Sequence, residues 1–574
     1  KTVIHNIIEY LLLTDPNGMA DCSIVFDDNH GTQIWSDAAN WGPAHNKIPT
    51  PYQKVRIEKP CTVDITSAAA SSLTLRKDNG NNANGSITIN ANASLSVIGT
   101  IREVRGTDYI TTYPISAEDL VVKSNASNQG ALAQGDEDGL THATVQFYAR
   151  GINSPSTDTQ WQYMGTPFSD VAHAVDHYEN SWMCRWNEDT EGFSDTNWEW
   201  VRNDDAVVPF VGYALSQTNS KTFTLTGTLV PSTEKTIRLT ASSPTEWSGW
   251  NLLANSWMAP INISQFETSD FGSAEATIYV MNTGKNDGNQ SASGSESSTA
   301  GQYVAIPIAS AGSMAATAQQ IPPMQGFYVL TAAATTLTLD YNKLIYTPTF
   351  TNTTYPNRTP RRMSAAEDDE EVLTNTVMPR LIIDVDGSRY SDRLYLFENA
   401  ELTNGFDNAW DGRKWEGDYR APQLMTRTDN LDLAVDASPS FDRKQIAFRA
   451  GEDQEYILRF STDIVGLRFR DLLTGAEMNI TDGGEYLFTA TNTESEVRFE
   501  IGDSRQIVDV PTSADQLDHF SDEVLAVDVF TPDGRCVLHR TTNFNEPLLL
   551  PQSGIYIIRL QTTAGVKVQK ITIQ

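Results

Sequence analysis

From residue 55 the chain repeats one short phrase: apolar and polar residues alternating over three to five positions, then a turn of Asn, Gly or Ser. Val55-Arg56-Ile57, Cys61-Thr62-Val63-Asp64-Ile65, Leu73-Thr74-Leu75, Ile87-Thr88-Ile89 and Leu95-Ser96-Val97 all follow it. Alternation at period two places the apolar side chains on one face of a strand. Strands this short bury little surface alone. Stacking each on the next gives a continuous apolar interior, with the polar turns projecting outward. The phrase therefore predicts a short parallel β-helix-like region over residues 1–125. A plain β-sandwich is the competing arrangement.

The rest of the chain also reads as strands. Residues 126–360 are rich in tryptophan, with phrases such as Trp198-Glu199-Trp200, Gly249-Trp250-Asn251-Leu252-Leu253 and Gly326-Phe327-Tyr328-Val329. Within them, residues 285–299 form a Ser/Gly/Asn tract with too little apolar area to pack, and are expected to be a surface loop. Residues 361–371 join a dibasic pair to an acidic run, the composition of a linker. Residues 376–508 hold strand-like runs such as Arg380-Leu381-Ile382-Ile383 and Tyr456-Ile457-Leu458-Arg459-Phe460, separated by turns at sandwich-like intervals. The expected fold class is all-β: a short parallel β-helix-like N-terminal region, two β-sandwich regions and a small C-terminal sandwich over residues 510–574.

Bulk properties narrow the function. The chain has 574 residues, 39% of them hydrophobic and 20% charged, an ordinary globular composition. Its formal net charge of -32 opposes binding to polyanions, so no nucleic-acid partner is expected. No apolar run approaches the roughly 18 residues needed for a spanning helix. Residues 7–13 are too short for one and lack the flanks of a secretory leader. The expectation is a removed leader or a piece of a longer protein. Cys22, Cys61, Cys184 and Cys536 show no metal-ligand spacing. Cys22 and Cys61 are candidates for one disulfide in an oxidising compartment.

The C-terminus carries the most specific pattern. A strand over residues 525–530 meets Pro532-Asp533-Gly534, a tight-turn sequence. Later come Gly554-Ile555-Tyr556-Ile557-Ile558-Arg559 and a final strand bearing Lys567 and Lys570. In combination, residues 510–574 resemble the type A C-terminal sorting domain of the type IX secretion system of the Bacteroidota. The Trp-rich phrases of residues 249–255 and 322–329 also look like those of large type IX cargo proteins. The resemblance implies an immunoglobulin-like sorting sandwich whose signal residues are Pro532, Asp533, Gly534, Gly554, Ile555, Tyr556, Ile557, Arg559, Lys567 and Lys570. It implies recognition by the type IX translocon and its outer-membrane shuttle β-barrel, and export to the cell surface or the medium. It also implies cleavage near residues 509–514, followed by joining of the cargo to lipopolysaccharide.

Candidate chemistry is sparse. His173 and His177 are four residues apart, but Ala174 stands where a zinc protease needs its glutamate base. Asp407, Asp411 and Asp418 fall at calcium-loop positions with Gly412 at the turn, although Ala409 occupies a ligand position. Calcium is the one cofactor considered, and carboxylates capping turn N–H groups are the alternative. Asp384, Asp386 and Asp392 form a second acidic turn. Trp182, Trp186, Trp198 and Trp200 cluster among Asn, Asp and Thr. Core packing is the default for such rings, and an exposed face would suit a sugar or a protein. No catalytic motif stands out. The reading is a non-enzymatic, adhesin-like or structural surface cargo. The alternative is a polysaccharide hydrolase or lyase, with its site in the β-helix or in a region preceding this chain.

Overall fold

The computed structural model describes residues 24–42, 47–78, 84–106, 108–149, 151, 161–190, 196–243, 245–281, 302–314, 320–345, 378–388, 390–417, 419–503, 505–508, 524–532, 535–540, 548–551, 554–562 and 565–573. They form an all-β fold, with only short helical turns between strands. The expected loop at 285–299, the linker at 361–371 and Cys22 lie outside the described residues. The chain divides into two compact units: Lys1–Glu296 with Met314–Thr374, and Ser297–Ser313 with Asn375–Gln574.

The first unit begins as a three-sided parallel stack. β1 (Ile24–Phe26), β2 (Lys54–Ile57), β5 (Ser72–Lys77) and β8 (Ile101–Arg105) form one side, and β9 (Asp108–Tyr113) adds an antiparallel edge. β3 (Pro60–Val63), β6 (Ser86–Ile89), β10 (Leu120–Val122) and β12 (His142–Ala149) form the second. β4 (Ala68–Ala70), β7 (Ser94–Val97) and β11 (Ala131–Gln134) form the third. The chain visits the sides in turn, so β2-β3-β4 and β5-β6-β7 are successive rungs. The register stacks Val55 on Leu73 on Ile101, and Cys61 on Ile87 on Leu120. All of these side chains are buried, each worth about 1.5–3 kcal/mol for a full-sized aliphatic.

The rungs touch closely at their corners. A Cβ at Gly85 would lie 2.0 Å from the Ile57 carbonyl oxygen, and one at Gly135 would lie 2.1 Å from that of Ile98. Only glycine lets backbones meet at that distance. At the start of the stack, Trp35 and Trp41 pack edge to face with centroids 4.7 Å apart, and Trp41 donates its indole N–H to the Trp35 carbonyl at 2.8 Å. The stack extends past residue 125, because β12 continues the second side. β12 then pairs antiparallel with the full length of β17 (Lys221–Thr228), from His142↔Thr228 to Ala149↔Lys221. That pairing covers an open strand edge.

Between and after these strands lie two antiparallel sheets. One has the order β13 (Gln162–Met164), β16 (Tyr213–Ser216), β14 (Trp182–Trp186), β15 (Trp198–Trp200). The other pairs Gly326–Leu330 with Trp250–Ala254 and with Thr277–Met281. Bridges Val211↔Leu253 and Met164↔Gln325 join the two.

The second unit is built on one large, mostly antiparallel sheet with Arg380–Asp386 between Ser391–Glu398 and Glu455–Thr462. Leu381, Ile383, Phe448, Phe469 and Phe499 sit in its core. Residues 302–313 belong to it although the sequence-adjacent strands do not. The Gln302 amide donates to the Pro422 carbonyl and accepts from the Gly417 N–H. The Tyr303 ring stacks flat on Trp415, 4.0 Å between centroids. Near the C-terminus, Cys536–Arg540, Val524–Phe530, Gly554–Thr562 and Gly565–Ile573 form a four-stranded antiparallel sheet in that order. Arg505–Val508 pairs separately with Leu548–Pro551.

Candidate functional site

The most unusual surface feature is the face of the β13-β16-β14-β15 sheet. Alternation puts Trp182, Cys184 and Trp186 of β14 on one face. Cross-strand register adds Trp200 opposite Cys184, Trp198 opposite Trp186, Ala214 opposite Cys184 and Ser216 opposite Trp182. Tyr163 of β13 lies opposite Ala214 and joins them. The middle strands thus contribute the small residues Cys184, Ala214 and Ser216, all buried. Large rings flank them: Trp182 and Trp186 at the two ends of β14, Trp198 and Trp200 on β15, and Trp161 and Tyr163 at β13. Trp161 reaches Trp200 at 6.2 Å, and Tyr163 reaches Trp198 at 5.7 Å between centroids.

At one end this aromatic roof continues into the neighbouring sheet. Trp186 packs edge to face on Trp198 at 5.1 Å and on Tyr328 at 5.6 Å. Its indole N–H donates to the Trp250 carbonyl at 2.5 Å. Core packing, the default expectation, therefore holds for Trp186. It does not hold for Trp182 and Trp200, which are 49% and 53% exposed. The spacings Trp182-x-Cys184-x-Trp186 and Trp198-x-Trp200 were enough to put these rings on common faces. The contributions of Trp161 and Tyr163 depend on a strand order that the sequence does not print.

The acidic loop is organised by its own backbone. Asp407 accepts hydrogen bonds from the Thr403 N–H and hydroxyl. The two oxygens of Asp411 accept the N–H groups of Asp407 and Ala437, each at 2.7 Å. Ala409 adopts φ 72° at the tip. Burial pushes the Asp411 carboxyl up to about 7 against the pull of those N–H groups. Asp418 lies outside the described residues. Among the described residues, no group of three or more His, Cys, Asp or Glu is placed to hold a metal ion.

The second acidic turn does not converge. Asp384 holds Arg393 through two contacts at 2.5 and 2.9 Å, and Asp386 pairs with Arg459. Asp392 lies opposite Val385 in the register, so it points to the other face, where it meets Lys414 at 2.5 Å. The histidine pair is split by the brevity of its helix. Val175–Tyr178 is one turn, which leaves His173 outside it. The His177 ring packs 5.9 Å from Phe168, and burial lowers its pKa. Cys61 and Cys184 are buried free thiols, pushed up by burial, and Cys536 is exposed.

In the C-terminal sheet, Tyr556 is buried while Ile555 is exposed. Arg559 donates through Nε and Nη2 to one Asp528 oxygen at 2.9 and 2.7 Å, and its guanidinium lies 5.0 Å from the Phe530 ring centre. His539 meets the other Asp528 oxygen at 2.5 Å. Arg559 is thus engaged within its own sheet. Pro532 is exposed in the turn region, and Ile557 is half-buried on the strand that Gly554 begins. Asp533, Gly534 and the side chains of Lys567 and Lys570 lie outside the described residues.

No family model matches the chain. It is 26% identical to the minor fimbrium subunit Mfa5 of Porphyromonas gingivalis over 92% of its length. The chain spans 44% of that protein.

Proposed function

We propose that the chain is part of a non-enzymatic, adhesin-like structural protein displayed on the cell surface, exported through the type IX route with residues 510–574 as its signal. The observation that carries the reading is the similarity to a minor fimbrium subunit across almost the whole chain. The all-β architecture supports it, since stacked rungs and packed sheets make stiff, elongating elements. The terminal strands support the export role. They run strand, Pro532 turn, Gly554-led strand, final strand, as the sorting-domain resemblance requires. In this reading the translocon and the shuttle barrel recognise that sheet. Cleavage near residues 509–514 then frees the cargo for attachment to lipopolysaccharide. In this reading Asp407 and Asp411 cap backbone N–H groups, so a chelator is expected to leave the melting temperature unchanged; a chelator-induced fall would instead assign calcium to Asp407, Asp411 and Asp418.

The test is deletion of residues 554–574 in the native host. The truncated protein is expected to accumulate in the periplasm and to vanish from the surface. Normal surface display of the truncation overturns the export assignment.

A further inference from the structure

We propose that Trp182 and Trp200 form a stacking site for a neutral glycan on the outer side of the β13-β16-β14-β15 sheet. The proposal rests on the adhesin reading and adds the chemistry of the ligand. Trp182 and Trp200 are about half exposed while Trp186, on the same face, is 9% exposed. Their positions are set by paired strands, not by loops: Trp200 stands opposite Cys184, and Trp182 lies two residues along the same strand. Trp161 packs beside Trp200, tilted at 55° to it. Behind them, Trp186, Trp198 and Tyr328 interlock. The rings are therefore held before any ligand arrives, which lowers the ordering cost of binding.

Two further observations select the ligand. The first is hydrogen-bonding capacity. Ser216 is fully buried, directly across from Trp182, and its hydroxyl has no hydrogen-bond partner. Buried polar groups are rarely left unmatched, and sugar hydroxyls are the natural complement to hydroxyls beside a ring. The second is charge. The paired positions of the stacking face are Trp182, Trp186, Trp198, Trp200, Tyr163, Cys184, Ala214 and Ser216, all uncharged, because alternation sends the Arg185–Glu199 pair (2.8 Å) to the opposite face. With a chain net charge of -32, the field disfavours sialylated or sulfated sugars. An uncharged pyranose chain offers apolar C–H faces for the rings and a hydroxyl for Ser216.

The experiment titrates the purified chain with maltohexaose, chitohexaose and mannohexaose, with sialyllactose and a deglycosylated serum glycoprotein as contrasts. Tryptophan fluorescence and calorimetry read the binding. At least one neutral hexaose is expected to bind, and W182A and W200A each to weaken it at least about tenfold with unchanged melting. Should either variant melt early, W182F and W200F are used, which keep a smaller stacking face. In the unaltered chain, the bound hexaose is expected to protect Trp182 and Trp200 from N-bromosuccinimide oxidation, read by peptide mass. The proposal is overturned if no neutral hexaose binds, if binding survives the double substitution, or if only sialyllactose or the protein binds. Surface display of the unaltered chain separates the two readings. Normal display without glycan binding sinks only this proposal, and glycan binding by a chain that never reaches the surface sinks only the display reading.

Discussion

The stacked rungs and the large sheet of the second unit solve the same problem with different cores. In the rungs, the inward positions are mostly aliphatic: Ile57, Leu75, Ile89 and Val97 are 0–2% exposed and share one apolar core. In the second unit, charged pairs are sealed in among the aromatics. The Lys414 and Asp392 side chains are each 2% exposed, and the Asp471 side chain is fully buried against Arg498. A dry ladder can be trimmed one methyl at a time. A buried ion pair cannot, because removing one partner strands the other. The first core rests on volume and the second on matched charge, so substitutions should fail differently in the two regions.

The largest effect is expected from Lys414→Met. It leaves the Asp392 carboxylate buried without its counter-charge, held by backbone N–H groups such as that of Leu424 at 2.6 Å. The cost should be about 3–5 kcal/mol in chemical denaturation. The double variant Lys414→Met with Asp392→Leu should recover most of it. If the single substitution costs less than the double, the charge-matched description of this core is wrong.

Next comes Ile87→Ala, in the middle of the ladder between Cys61 and Leu120. A loss of about 2–5 kcal/mol is expected, falling to about 1 kcal/mol for Ile87→Val. A graded response of this kind is what separates a volume-based core from one built on charge. A collapse on Ile87→Val would erase the distinction.

The smallest effect concerns the C-terminal sheet and is read through pH. Burial alone would raise the Asp528 pKa, but the hydrogen bonds from His539 and Arg559 outweigh it and hold the carboxyl below its ordinary value. A carboxylate depressed in the folded state contributes stability that is fully present above the unfolded value, about 3.9. That stability is lost as pH falls through the folded value. Hydrogen exchange of residues 524–530 and 554–562 should therefore quicken below about pH 4. Arg559→Ala should bring that acid sensitivity to higher pH, with a stability cost of about 1 kcal/mol or less, because the guanidinium is half in water. Acid-independent exchange in these strands would remove Asp528 from the account.

Several elements were legible in the chain alone. Every apolar phrase quoted from residues 55–97 falls on a strand, except that Ile65 lies just past the end of β3, and the C-terminal strands fall where their turns predicted. Both cases are local: a period-two pattern bounded by Asn, Gly, Pro or Asp determines a strand and its inward face without reference to distant residues. Nearness in sequence does not bring Asp384, Asp386 and Asp392 together. One step across the hairpin sends Asp392 to the opposite face, towards a lysine 22 residues away.

The sequence by itself therefore determined the all-β class, the rungs and their apolar interior, because period and turn chemistry act within a few residues. Tertiary structure decided which tryptophans would be core and which surface. Trp182 and Trp186 belong to one strand and one face, yet only Trp186 meets Tyr328 and the Trp250 carbonyl. It also decided that residues 302–313 would complete the second unit. Burial is set by what the rest of the chain brings to a face, and that information is spread over positions more than a hundred residues apart.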